Sequence, residues 1–270
     1  MVTVELLLKA LMKFYFNVIM VIELINSGGD HRGKILFFKD ENLKINFFEI
    51  KKNYARGGHY HNYPVTYVLI SGKIEHRMKS LDTDEEIIEI ISGPSIIKLP
   101  INVANLILSI ETSIFLEMYD AEYDSKIFDN YRNFVIEKNK TLGIDESNSN
   151  LTIENQFQDS RGKIFFCKFS NVNVNLIEIN EGYARGGHYH NFDSEHIILS
   201  GEVKYFENNL MTNSESIKTI KDPEIIITKS NIAHMFLGIK KSYFVEIFSG
   251  NYDAIFFDNY RKIVDEKMKN

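Results

Sequence analysis

Two stretches of this sequence carry paired histidines one residue apart, His59-Tyr60-His61 and His188-Tyr189-His190. In an extended strand residues i and i+2 face the same side, so each pair projects two imidazoles together. Such a pair can chelate a metal or share proton traffic. Around the second pair the pattern lengthens: Gly182, five residues, His188 and His190, four residues, Glu195, five residues, Gly201. A further histidine, His234, follows the apolar run Ile225–Thr228 and a turn. Three neutral imidazoles and one carboxylate (His188, His190, His234 and Glu195) suit a divalent first-row metal such as Zn, Mn, Fe, Ni or Co. Such a set leaves coordination positions for water or a substrate oxygen. In a metal-free pocket the same residues would form a hydrogen-bonded polar lining. A histidine with an unperturbed pKa of about 6.5 also suits general acid–base work. Tyr183 and Arg185, like Tyr54 and Arg56, stand just ahead of the histidines. An arginine at a pocket mouth can grip phosphate or carboxylate in two-pronged fashion. Its alternative is a structural salt bridge, for instance to Glu49 or Glu178.

These pieces belong to a duplication. Asp30-His31-Arg32-Gly33-Lys34-Ile35 returns as Asp159-Ser160-Arg161-Gly162-Lys163-Ile164, and Tyr54 through Asn62 returns unchanged as Tyr183 through Asn191. Phe128-Asp129-Asn130-Tyr131-Arg132 returns at Phe257 through Arg261, always at an offset of 129. The same offset places Thr66 opposite Glu195 and Asn105 opposite His234. The first copy therefore keeps His59 and His61 but lacks two of the four expected ligands. It is expected not to hold a transition metal tightly. Ligand binding, acid–base use of its histidines and a packing role all stay open for it.

The elements that must position these residues read as strands. Ile45–Ile50, Val65–Ile70, Ile87–Ile91 and Ile114–Met118 are short β-branched and aromatic runs between Gly, Asn, Asp and Ser clusters. Their equivalents in the second copy are taken as Asn175–Ile179, His196–Leu199, Ile225–Thr228 and Tyr243–Phe248. The tails Asp129–Lys138 and Asp258–Lys267 carry apolar residues at helical spacing and predict one terminal helix per copy, packed on its barrel. The expected organisation is an N-terminal extension over 1–20, one domain over 21–140 and a second over 150–270, joined by the polar stretch Thr141–Asn150. Residues Phe14–Ile25 are mostly apolar, but charges interrupt the wider stretch, which argues against a membrane span and favours a short added helix or strand. With 31 basic and 37 acidic residues the chain has a net charge of −6 and no basic block, which excludes a nucleic-acid face. The single cysteine, Cys167, excludes a disulfide framework and fits a reducing, cytoplasmic compartment.

The composite around His188 resembles the first motif of the cupin superfamily, G-x5-H-x-H-x(3,4)-E-x6-G, falling one short between Glu195 and Gly201; His234 matches the end of the second motif. That resemblance implies an all-β protein of two tandem cupin barrels (double-stranded β-helix, or jelly-roll), each with a short C-terminal helix. A narrower likeness follows from D-x-R-G, R-G-x-H-x-H, a strand ending in Ser-Gly, then Glu-x-Tyr-Asp and Tyr-Arg. This order is similar to sugar-nucleotide cupins. One branch is the dTDP-4-keto-6-deoxyhexose 3,4-ketoisomerase (WxcM-like) family, usually metal-free, which would cast His59 and His61, or His188 and His190, as the acid/base pair. Another is the metal-bearing C-terminal cupin of capsular polysaccharide biosynthesis reductases, which resembles Arg185 through Glu195. The chain departs from the first branch at Tyr60/Tyr189 between the histidines, at Asn62/Asn191 after them, and at Glu195 itself. The resemblance implies an isomerase or epimerase of a nucleotide-linked keto sugar in surface-polysaccharide synthesis. A non-catalytic sugar- or small-ligand-binding module and a metal-dependent dioxygenase are the alternatives. A duplicated domain inherits the self-complementary surface of a two-fold dimer, so the copies are expected to pack as an intramolecular pseudo-dimer. Further homo-oligomerisation stays open, and no nucleic-acid or membrane partner is expected.

Overall fold

The computed structural model describes residues 21–41, 43–142, 149–221 and 223–269. The expected N-terminal extension and most of the polar linker therefore lie outside the described residues.

The first half contains β1 (Glu23–Asp30), β2 (Gly33–Asp40), β3 (Leu43–Ile50), β4 (Ala55–Tyr60), β5 (Val65–Ser71) and β6 (Lys73–Ser80). It continues with β7 (Glu86–Ser92), β8 (Ser95–Leu99), β9 (Val103–Ser109), β10 (Ser113–Asp120), β11 (Lys126–Ile127) and the helix Asp129–Leu142. The second half repeats this order: β12 (Leu151–Asp159), β13 (Gly162–Phe169), β14 (Val172–Ile179), β15 (Ala184–Tyr189), β16 (Ser194–Ser200) and β17 (Val203–Asn209). Then come β18 (Ser214–Ile220), β19 (Glu224–Thr228), β20 (Ile232–Gly238), β21 (Ser242–Ser249), β22 (Ile255–Phe256) and the helix Asp258–Lys267.

Each half folds into two antiparallel sheets. The six-stranded sheets run β1-β2-β3-β10-β5-β8 and β12-β13-β14-β21-β16-β19; the five-stranded ones run β11-β4-β9-β6-β7 and β18-β17-β20-β15-β22. After the β1–β3 meander the chain passes back and forth between the two sheets, with only β6 and β7 consecutive in one sheet, and the second half repeats this; it is the jelly-roll architecture, present here twice in tandem. One register differs from the sequence reading. Ile225–Thr228 lies in β19, whose counterpart is β8, while Ile87–Ile91 lies in β7, whose counterpart is β18.

The layers follow from alternation along the strands. On β21, Tyr243, Val245 and Ile247 face the other half, whereas Phe244 joins the core inside the barrel. On β10, Ile114, Leu116 and Met118 face across and Phe115 and Tyr119 face inward. Both faces of these central strands are thus apolar, and the two six-stranded sheets bury their outer faces against one another. Phe38 and Phe165 meet in this shared core with ring centroids 4.8 Å apart, and Cys167 is buried there too. The halves are therefore packed as the expected pseudo-dimer. Each terminal helix covers the outer face of its five-stranded sheet, Tyr131 and Val135 against Ala55, Ala104 and Leu106, and Tyr260 and Val264 against Ala184, Ala233 and Met235.

Polar ties reinforce the seam. The Glu49 carboxylate accepts from the Asn150 backbone N–H at 3.0 Å, and Glu178 accepts from the Ile22 N–H at 3.1 Å. These glutamates are equivalents, so the seam keeps the pseudo-two-fold relation. Lys241 breaks it: its ammonium pairs with Glu178 at 2.9 Å and also with the buried Asp40 of the first half. No helix among the described residues is long and apolar enough to cross a membrane.

Candidate metal centre

Strand β15 delivers the second histidine pair. Its Gly186 and Gly187 have φ values of +90° and +79°, and pairing with β20 slips between Gly186 and His188. A Cβ on Gly186 would sit 2.8 Å from the His234 carbonyl oxygen, so glycine permits the close approach of β20. After the bulge His188 lies opposite His234 in register. The ring centroids of His188 stand 4.7 Å from His190 and 4.8 Å from His234.

The carboxylate that completes this group is Glu246, not Glu195. Ligand atoms of His188, His190, His234 and Glu246 all lie within 4.8 Å of one another, and all four residues are buried or nearly so. Glu195 is excluded by strand parity. Its neighbours at alternate positions, Ile197 and Leu199, belong to the core between the halves, so Glu195 lies on the outer face of β16. His196 takes the inward direction instead and pairs in register with Glu246 on β21. Subtracting the repeat offset of 129 gives Glu117, so the first copy keeps this carboxylate. Thr66 occupies a position outside the site, and the first copy lacks one ligand rather than two.

The electrostatics suit a cation. Burial, with the charge of His190, pulls the His188 pKa down to about 4, and burial holds His234 well below the ordinary imidazole range. Both rings are neutral at pH 7. His190 Nδ1 lies 2.6 Å from the Asp253 main-chain oxygen, which fixes the proton on that nitrogen and leaves Nε2 as a lone pair. That Nε2 is buried with no hydrogen-bond partner among the described residues. An orphaned lone pair aimed into a cluster of two more imidazoles and a carboxylate fits a divalent transition metal. Burial alone would raise the Glu246 carboxyl, but hydrogen bonding and charge from His196, with Asn175, more than offset it and hold it low. Asn175 Nδ2 donates to Glu246 at 3.0 Å.

His188, His234 and Glu246 of the group line a cavity of about 440 Å³, together with Asn175, His196, Phe236 and Tyr252. The Tyr252 hydroxyl is 3.4 Å from His188 Nε2. Arg161, Arg185 and Arg261 line the same cavity with Phe157 and Phe256. Arg185 is tied down: its Nε donates to the Glu178 carbonyl at 2.9 Å, and its Nη2 stands 3.7 Å from Asp159. The salt-bridge partner is thus Asp159, while Glu178 contributes only its main chain. Tyr183 lies in the turn ahead of β15 and does not line the cavity.

In the first copy His59, His61 and Glu117 converge within the same 4.8 Å limit. Asn105 pairs with His59 where His234 pairs with His188. Sequence reasoning missed Glu246, Glu117, His196 and Tyr252. The repeat did carry a signal for the first two: a glutamate recurs at the same offset inside otherwise apolar strands.

No family model and no curated protein matches the chain. Among solved structures, one reporting Mn(II) centres in Bacillus subtilis oxalate decarboxylase is 12% identical, covers 89% of this chain and 80% of that one, and has a TM-score of 0.39. A point variant of the same enzyme is 13% identical, covers 93% and 84%, and has a TM-score of 0.40.

Proposed function

We propose that the chain is an isomerase or epimerase that moves a proton alpha to the carbonyl of a nucleotide-linked keto sugar, working in its second half. The observation that carries this reading is the convergence of His188, His190, His234 and Glu246, three of which (His188, His234 and Glu246) line the 440 Å³ cavity. In this reading those four residues hold a divalent metal, which when bound supplies Lewis-acid stabilisation for a developing oxyanion.

The chain's own residues supply the rest. A nitrogen lone pair committed to a metal cannot also accept a proton, so His188 and His190 serve as ligands or as the acid/base pair, but not both at once. With the metal held, Tyr252 and His196 are the groups facing the cavity that keep a movable proton. Burial, with the charge of Glu246, keeps the Tyr252 phenol protonated and able to donate to a substrate oxygen. His196 Nε2 lies 3.7 Å from Glu246, and its Nδ1 lies 3.2 Å from the Thr228 hydroxyl, so it orients the carboxylate from behind. At the mouth, Phe157 and Phe256 are 45% and 61% exposed. They offer flat apolar faces to a base, and Arg161 and Arg261, each paired on one edge with Asp159 or Asp265, keep their remaining N–H donors for a diphosphate.

The test is incubation of a panel of keto-sugar nucleotides with the protein in deuterium oxide, read by NMR. The reading expects deuterium at the carbon beside the ketone, and loss of that exchange in Glu246→Gln. No exchange with any member of the panel would contradict it and favour a non-catalytic binding module.

A further inference from the structure

We infer that the first half carries a second divalent-metal site, built from His59, His61 and Glu117, which is distinct from the second-half centre in donor set and does not depend on the reaction proposed above. The sequence alone reads this half as unable to hold a transition metal tightly, because Thr66 and Asn105 stand at two of the four expected ligand positions. The geometry assigns the carboxylate to Glu117 instead, and ligand atoms of His59, His61 and Glu117 lie within 4.8 Å of one another.

Each side chain is held in a ligating posture. His61 Nδ1 lies 2.7 Å from the Asp124 main-chain oxygen, which fixes the ring proton there and leaves Nε2 as the lone pair. Nε2 of His59 and Nε2 of His61 are both buried and have no hydrogen-bond partner among the described residues. Leaving two ring nitrogens unsatisfied costs free energy that a bound cation would recover. Glu117 is 6% exposed and is oriented by Asn46 Nδ2 at 3.1 Å and by the Tyr67 hydroxyl at 3.2 Å. Glycine again opens the strand: Gly57 and Gly58 have φ values of +95° and +82°, and the register slips between Gly57 and His59.

The difference from the second half is one ligand. Asn105 stands at the His234 position with its Nδ2 donating to the His59 carbonyl at 3.3 Å, so no third imidazole is available. What remains is two histidines and one carboxylate, the donor set that leaves several positions for water or oxygen ligands. The rings around it are also more polar. Tyr63 and Tyr119 replace Phe192 and Phe248 of the second half, while Tyr123 matches Tyr252. His61 is 4.8 Å from Tyr63 and 5.7 Å from Tyr123, centroid to centroid. Fewer nitrogens and more oxygens make this the weaker site and favour Mn²⁺ or Fe²⁺.

Equilibrium dialysis of the full chain against Mn²⁺, read by elemental analysis, tests this. The expected result is two ions per chain in two affinity classes. Glu117→Gln should remove the weaker class, and Glu246→Gln the tighter one, with circular dichroism confirming the fold of each. Asn105→His should restore a third imidazole and tighten the weaker class by about tenfold or more. A single class that Glu117→Gln leaves unchanged would overturn the inference. So would two classes that both survive Glu117→Gln, or no tightening in a folded Asn105→His. Failure of the second-half centre would appear separately, as loss of the class sensitive to Glu246→Gln.

Discussion

The two halves share a backbone plan residue for residue and differ in what they place behind one carboxylate. In the second half the Tyr205 and Thr228 hydroxyls meet at 2.9 Å, Thr228 reaches His196 at 3.2 Å, and His196 faces Glu246. In the first half tyrosine and histidine have exchanged places. Tyr67 stands at the His196 position and bonds Glu117 directly, while His76 stands at the Tyr205 position. Leu99 replaces Thr228, and both ring nitrogens of His76 lack hydrogen-bond partners among the described residues. The consequence is electrostatic. Burial raises the Glu117 carboxyl, with Asn46, His61 and Tyr67 opposing it only in part, whereas His196 holds Glu246 low. The barrel rims diverge as well, since Gly28 and Ile127 stand where Phe157 and Phe256 line the second-half cavity. A duplication preserved the scaffold and let one copy keep the fuller site.

The largest effects should come from the seam that both halves share. Phe165→Ala removes a ring packed on Phe38 and should cost about 3–5 kcal/mol. Lys241→Met leaves the buried Asp40 and Glu178 carboxylates without their shared counter-charge, also about 3–5 kcal/mol. Chemical denaturation measures both, and a single transition monitored from either half would show that the halves melt together. Next in size is the network behind the carboxylate. His196→Phe should weaken metal binding in the second half about 10- to 100-fold, while Tyr67→Phe should leave that site unchanged; competition with a chelating dye reads both.

The smallest effect is a slope in pH. Burial pulls His59, His76 and His188 down to about 4, against about 6.5 in an unfolded chain. Between these values the unfolded state binds more protons. Stability is therefore complete above about 6.5 and is lost as pH falls toward 4. His76→Tyr, which copies Tyr205 into the first half, should flatten that slope in urea titrations of the metal-free protein across pH 4–7. An unchanged slope would show that His76 does not contribute.

Much of this was legible in the sequence. The constant offset marks the duplication, the H-x-H pairs mark two of the residues that converge in each copy, and the β-rich runs and helical tails mark the tandem barrels. Glu195 shows where reading fails. Strand β16 reads Ser-Glu-His-Ile-Ile-Leu-Ser, and both of its faces are buried, one in the barrel and one in the seam. Alternation of apolar and polar residues, which ordinarily tells inside from outside, is then absent, and spacing alone selected the wrong neighbour. Glu246 was hidden for the same reason, a lone charge in a strand with two apolar faces. Tyr252 stands in the loop between β21 and β22, where no periodicity indicates direction.

The central claim is that Glu246, and not Glu195, supplies the carboxylate of the second-half centre. Metal content of Glu246→Gln and Glu195→Gln, purified side by side with the wild-type protein and loaded with the same divalent ion, tests it most directly. The account predicts that Glu246→Gln loses the tight ion while Glu195→Gln retains it in full. Retention in Glu246→Gln together with loss in Glu195→Gln would contradict it.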